Sequence, residues 1–282
     1  MAGEILTGQQ VDTAATLALV SRLHHQRRLR DESSLFFVEG IRNFLTAVQA
    51  GFTVDTLIYS ERLLTVAPAR QLVRRLKRDG VPCARITPEQ FRQISTAERA
   101  AGVAAILRQR TFDLSQIDPS GDLCWVGLKE VRSPGNFGSL MRTAAAASAA
   151  GFVLLDDAVD PYDPGAVRGS MGAVFRQRMV RADAELLERW IRRHGVQVIG
   201  ASPDGTVAYD RVRYQPPVLL MLGEERSGLA PVQRALCDQI VRIPMVDDVD
   251  SLNLAVAGSL LLYEVYRASR KQEARGERLE GR

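Results

Sequence analysis

Residues 123–150, LCWVGLKEVRSPGNFGSLMRTAAAASAA, decide the fold class. Leu123–Leu128 is a continuous apolar run of strand length. A loop with Pro134, Gly135 and Gly138 follows, and the alanine-rich Ser139–Ala150 predicts a helix. An unbroken apolar strand leading through a loop into a helix is the repeating unit of a parallel sheet covered on both faces. Outward from it the pattern recurs. Strands are predicted at Phe152–Leu155, Val196–Ile199, Val218–Leu222 and Gln239–Ile243, and helices at Ala184–His194, stopped by Gly195, and at Ser251–Arg270. A segment punctuated by Pro and Gly runs up to Phe175.

The first hundred residues also alternate. A basic helix is predicted over Val20–Arg30, then a strand at Leu35–Val38, a helix at Ile41–Ala50 and a strand at Thr56–Tyr59. Helix Pro68–Asp79 ends at Gly80, strand Cys83–Ile86 follows, Pro88 starts a helix, and Val103–Leu107 is a strand. Residues 109–121, QRTFDLSQIDPSG, lose this periodicity and read as a linker. The expected organisation is therefore α/β throughout. A first domain spans 1–108, a linker 109–121, a second domain 122–270, and a charged, frayed tail 271–282.

The 282 residues are about two domains' worth, and 46% hydrophobic with 25% charged is the balance of a globular protein, which argues against disorder and fibrous repeats. The net charge of +4 is unevenly spread. Residues 1–110 carry 16 basic and 10 acidic side chains, against 21 and 23 in the remainder, so the front half suits a polyanion. Cys83, Cys124 and Cys237 are isolated and odd in number, which predicts neither a disulfide framework nor a metal site. No secretory signal precedes the first domain, and the longest apolar stretch, Leu252–Tyr263, is too short for a membrane span; a cytoplasmic chain is expected.

In open parallel sheets, ligands bind beyond the carboxyl ends of strands. Three loops there are rich in small and polar residues: Ser133–Thr143, Leu222–Leu229 and Ile243–Asn253. None has the glycine spacing of a dinucleotide fold or of a phosphate loop, which disfavours a nicotinamide-dependent oxidoreductase.

Taken together, and in this order, the three loops resemble the signature motifs of the SpoU (TrmH-type) RNA ribose methyltransferases of the SPOUT superfamily. Pro134-Gly-Asn-Phe-Gly-Ser-Leu-Met-Arg-Thr143 matches that family's first motif. Gly223, Glu225, Gly228 and Leu229 match the second, and Ile243–Met245, Ser251–Asn253 and Leu262–Glu264 the third. Val167–Phe175 is similar to a further family segment, and Arg27–Arg30 with Leu35–Arg42 to the family's ribosomal-protein-like RNA-binding domain. Three positions depart: Asp247 and Arg226 stand where the family usually has Gly, and Glu224 where it often has Asn.

The resemblance implies a SPOUT catalytic domain with a deep trefoil knot behind an RNA-binding domain. It also implies methyl transfer from S-adenosylmethionine to a ribose 2′-hydroxyl, with ribosomal RNA as the expected substrate. A transfer RNA substrate, or an RNA-binding protein that kept the fold without catalysis, are the alternatives. The implied catalytic residues are Asn136, Arg142, Glu225, Ser251 and Asn253. The implied cofactor contacts are Gly200, Ala201, Ser202, Leu222, Gly223, Ile243, Met245 and Leu252. Arg22, Arg27, Arg28, Arg30 and Arg42 are the expected RNA contacts. A homodimer is implied, and no metal is needed because the methyl donor is already electrophilic.

Overall fold

The computed structural model describes residues 9–155, 157–224, 227–246 and 251–280. It divides into two compact units. The first joins Met1–Arg110 to Tyr162–Phe175, and the second joins Thr111–Pro161 to Arg176–Arg282.

In the first unit, α1 (Thr13–His25) and α2 (Arg27–Ser33) replace the single helix predicted over Val20–Arg30. The break falls at Gln26, whose extended backbone ends α1 and whose N–H bonds the Arg22 carbonyl. Then come β1 (Leu35–Glu39), α3 (Ile41–Gln49), β2 (Val54–Tyr59), α4 (Ala67–Arg78), β3 (Cys83–Arg85), α5 (Pro88–Ile94) and β4 (Val103–Arg108). The strands form one sheet in the order β1-β4-β2-β3. β4 pairs antiparallel with both β1 and β2, and only β2 and β3 are parallel. Helix α5 carries a full capping box, with Thr87 and Gln90 each satisfying the other's free amide.

The second unit is built on β5 (Cys124–Leu128), α6 (Pro134–Ala146) and β6 (Ala149–Leu154). The chain then supplies α7 (Pro164–Gly169) to the first unit. It returns with β7 (Arg178–Arg181), α8 (Ala184–His194), β8 (Gln197–Ala201), the two-residue β9 (Val207–Ala208) and β10 (Val218–Leu222). Last come α9 (Pro231–Leu236), β11 (Gln239–Arg242) and α10 (Leu254–Glu280). The seven strands are all parallel, in the order β7-β6-β5-β10-β8-β11-β9. Every residue of β5 and β10 is buried, as expected for central strands covered on both faces. Each large apolar side chain there contributes roughly 1.5–3 kcal/mol. The knot implied by the resemblance involves the passage from β11 to α10, and residues 247–250 of that passage are outside the described residues.

Four sequence expectations change. The loop predicted at Ser133–Ser139 is the start of α6, because Ser133 accepts from the Asn136 amide as N-cap and Pro134 takes the first helical position, where its missing N–H costs nothing. The helix accordingly ends at Ala146, and Ala149–Ala150 belong to β6. Residues 109–121 are packed, not a free linker. Leu114 and Ile117 are buried in the core of the second unit, and the Ile117 carbonyl accepts from Trp190 Nε1 at 2.9 Å. Val167–Phe175 belongs to the first unit, where Phe175 lies edge-on to Phe52 at 5.2 Å and Tyr162 packs 4.4 Å from Phe36. Finally, α10 continues through Glu280 across the predicted tail, whose Lys, Gln, Glu, Ala and Arg are good helix formers.

Candidate active site

The loops leaving β8, β10 and β11 and the entry to α10 enclose a cavity of about 430 Å³ at the carboxyl edge of the parallel sheet. That volume is within the range of small-molecule sites, and the position is where this architecture binds ligands. Its walls include Ala201 and Ser202 after β8, Leu222 and Gly223 after β10, and Ile243 and Met245 after β11, closed by Ser251 and Leu252. Seven of the eight predicted cofactor contacts therefore converge. The eighth, Gly200, does not line the cavity. A Cβ there would sit 2.6 Å from Cys237 Sγ and 2.9 Å from Leu229 Cδ1, so its lack of a side chain serves packing under the sheet.

The β10 loop is held by backbone and by a few polar side chains. Glu224 and Gly228 exchange both amide–carbonyl bonds, at 3.0 and 2.9 Å. Gly223 lies so close beneath them that a Cβ would fall 2.1 Å from the Gly228 carbonyl carbon, so only glycine fits. Gln233, fully buried on α9, donates to the Leu222 carbonyl at 3.2 Å and accepts from the Ala230 amide at 3.0 Å. Glu224 accepts from the Ser227 amide at 3.2 Å and from the Ser227 hydroxyl, and it pairs with Arg132 at 2.6 Å. The Ser227 hydrogen bonds, with Arg132 beside them, hold its carboxyl below the usual carboxylate range. Arg132 precedes α6, so this ion pair ties the cavity loop to the loop that launches α6. At the β8 side, Arg234 donates to Ser202 Oγ at 3.0 Å while pairing with Asp204 at 2.8 Å.

The predicted catalytic residues divide. Asn136 and Asn253 line a second, more open groove of about 480 Å³, with Ser139, Ser259 and Tyr263. Successive residues entering α10 face the two spaces in turn: Leu252 and Leu254 the cavity, Asn253 and Ala255 the groove. Asn253 also caps α10, its Oδ1 accepting from the Ala255 amide at 2.9 Å. The cap is thus Asn253, which leaves the exposed Ser251 hydroxyl beside the cavity. Arg142 lies on α6, exposed, outside the lining of both spaces, and it makes no hydrogen bond or ion pair among the described residues. Glu225, Arg226 and Asp247 lie outside the described residues.

The predicted RNA contacts fare differently. Arg30 is buried, donating to the Leu23 carbonyl at 2.6 Å and pairing with Asp163 at 3.6 Å, so it is a structural tie and not an RNA contact. Arg27 and Arg28 pair one helical turn away with Asp31 at 3.2 Å and Glu32 at 2.6 Å. Arg22 and Arg42 are exposed. Sequence reasoning missed Arg132 and Gln233, and it registered Glu224 only as a departure from the family pattern. A carboxylate one glycine past the end of a fully apolar strand was the available signal for Glu224.

Comparison with known proteins agrees with this geometry. The SpoU rRNA methylase family model matches residues 124–263, and an MRM3-like substrate binding domain model matches residues 19–105. The chain is 32% identical over 249 residues to the 23S rRNA (uridine(2479)-2′-O)-methyltransferase of Streptomyces viridochromogenes, covering 86% of this chain and 85% of that one. The crystal structure of the SpoU methyltransferase AviRb from the same organism superposes with a TM-score of 0.81 at 30% identity, over 90% of this chain and 96% of that one. An AdoMet-bound rRNA methyltransferase from Sinorhizobium meliloti gives 0.81 at 31% identity, over 92% and 97%. With both units matched and the motif loops gathered at one sheet edge, the chain belongs to the SpoU rRNA methylase family.

Proposed function

We propose that the protein transfers a methyl group from S-adenosylmethionine to a ribose 2′-hydroxyl of ribosomal RNA. The observation that carries this reading is the convergence of the second and third motif loops on one cavity, with Asn136 of the first motif and Asn253 of the third lining a separate groove. The cavity fits the cofactor. Its walls are mostly apolar side chains and backbone, and polar groups enter at Ser202, Glu224 and Ser251. Ala201, Ser202, Leu222, Gly223, Ile243, Met245 and Leu252 would hold it. When bound, S-adenosylmethionine supplies an electrophilic methyl group without help from a metal.

What remains for the chain is to align the hydroxyl and to stabilise its oxygen as the proton leaves. Asn136, fixed on the first turn of α6, orients the ribose. Ser251, Asn253 and Glu225 complete the polar wall. A guanidinium is a fixed cation and not a base, so the role that suits Arg142 is electrostatic: stabilising the forming alkoxide and gripping the adjacent phosphate. Arg142 is exposed and makes no hydrogen bond or ion pair among the described residues, which supports that reading. Arg22 and Arg42 face RNA from the first unit. The working form is a cytoplasmic homodimer using the exposed apolar stripe Val256, Leu260 and Tyr263 on α10.

The test is transfer of tritiated methyl from S-adenosylmethionine into ribosomal and transfer RNA fractions, followed by nucleoside analysis. A 2′-O-methylated nucleoside from the ribosomal fraction is expected. Label in transfer RNA alone would overturn the substrate class. No label in either, with no cofactor binding by calorimetry, would leave an RNA-binding protein without catalysis.

A further inference from the structure

The first unit contains a groove of about 800 Å³ between α3 and α4, outside the motif loops and outside the arginines singled out in the sequence. Helix α4 buries Ala69, Val73 and Leu76 and turns its other side outward. That outer side carries Arg74, Arg75, Lys77 and Arg78, all lining the groove, over a floor that includes Leu45, Val48 and Leu72. Neither α3 nor α4 contains a single Asp or Glu; the first carboxylate is Asp79, just past the end of α4. Arg42 stands three residues before Leu45 and seven before Gln49, on the face of α3 that lines the groove.

Charge balance separates this surface from several other basic positions of the unit. Arg27 and Arg28 each have a carboxylate one turn away, Arg85 has Glu61 at 3.7 Å, Arg92 has Glu89 at 3.6 Å, and Arg108 has Asp55 at 2.9 Å. Arg74, Arg75 and Arg78 are exposed and have no such partner among the described residues. Lys77 is held by the Tyr59 hydroxyl at 3.1 Å, and no carboxylate hydrogen-bonds it there. Uncompensated cations on one helix face cost self-repulsion when free and repay it only against a polyanion. The helix C-terminus offers a partial negative charge to the last turn, yet that is about half a unit charge against four cations, and Arg74 lies before the last turn.

We propose that the α3–α4 groove binds the sugar–phosphate backbone of the substrate RNA, with Arg74, Arg75 and Arg78 on phosphates and Arg42 extending the same face. The proposal rests on RNA being the substrate, but its test needs no methyl transfer. The groove has no aromatic side chain among its lining residues to stack a base, so recognition there is by backbone charge and shape and not by sequence.

The test is binding of protein-free large-subunit ribosomal RNA across a salt series, for the intact chain and the triple variant Arg74→Ala/Arg75→Ala/Arg78→Ala. Losing three phosphate contacts flattens the salt dependence by about 2.1–2.7 in log–log slope, from single strand to duplex, so between roughly 50 and 200 mM salt the intact chain loses about twenty- to fortyfold more affinity than the variant. Replacing the same three arginines by Lys restores most of the slope, and a double variant Arg85→Ala/Arg92→Ala, whose cations have their own carboxylates, keeps it. In turnover, the triple alanine variant raises KM for RNA with kcat at saturating RNA unchanged. A triple alanine variant with the slope of the intact chain, or a Lys variant no better than the alanine one, would overturn the proposal. So would an equal loss in the double variant, which would reduce the effect to net charge. Failure of methyl transfer in the intact chain, with the salt slopes as expected, would sink the enzymatic reading and leave the groove standing.

Discussion

At the scale of single residues, the site separates groups that hold from groups that act. Gly223, Gln233 and the Glu224–Arg132 pair fix the cavity loop through contacts within the protein. Arg142 is the opposite: it is exposed and unpaired among the described residues, as the role proposed for it requires. Arg142→Ala therefore leaves folding and cofactor affinity close to those of the intact chain while lowering turnover by about 10²–10³, the usual cost of removing one donor to a developing oxyanion. Calorimetry with S-adenosylmethionine beside single-turnover methyl transfer measures both, and a parallel collapse of cofactor affinity would show the role to be wrong. Arg30 is the counter-example. In sequence it belongs to the same run as Arg27 and Arg28, yet its guanidinium is spent on the Leu23 carbonyl and Asp163.

At the scale of elements, α1 and α5 are joined through His24. Its Nε2 lies 3.1 Å from the Ile94 carbonyl and its ring meets Phe37 edge-on at 4.8 Å. Burial pushes its pKa down, against the smaller opposing effects of the Ile94 hydrogen bond and of Glu39. A base whose folded pKa is depressed binds protons more tightly when unfolded. Its contribution is thus fully present above the ordinary value of 6.5 and is lost as pH falls through 6.5 towards the lower folded value. The melting temperature is expected to drop between about pH 7.5 and 5.5, before carboxylates titrate. His24→Gln, which can still donate to Ile94, should melt with a flatter pH profile. Parallel losses in both proteins would remove His24 as the cause.

At the scale of the whole molecule, the exposed apolar stripe of α10 is the feature that one chain leaves unsatisfied. Val256, Leu260 and Tyr263 are 48%, 39% and 51% exposed at helical spacing, and they line the same groove as Asn136 and Asn253. A dimer through this face predicts that Leu260→Glu converts a species of twice 31.1 kDa to the single chain in sedimentation equilibrium. It also predicts that methyl transfer falls at least tenfold, because burying an unpaired carboxylate in an interface costs several kcal/mol. An unchanged mass would place the contact elsewhere.

Much of this was legible in the chain. Apolar runs with turn residues between them determined the number and type of the central strands, because a strand buried on both faces admits little else; Val218–Leu222 and Ala184–His194 match their predicted bounds. The second and third polar loops were legible as walls of the cavity because, in parallel sheets, such loops cluster at the carboxyl edge. Local chemistry was enough to misplace boundaries by a few residues, as at Ser133–Pro134, where a cap that looks like a loop starts the helix.

Only the tertiary structure decided which polar groups are already used. It paired Arg27 and Arg28 with carboxylates, buried Arg30, left α4 without any, and carried Tyr162–Phe175 across to the aromatic core of the first unit. It also joined Arg132 to Glu224 across ninety residues of sequence. The reason is physical. Periodicity reports which face of an element is apolar, whereas the availability of a charge depends on which other charges the fold brings within a few ångströms, and that distance is not written in sequence spacing.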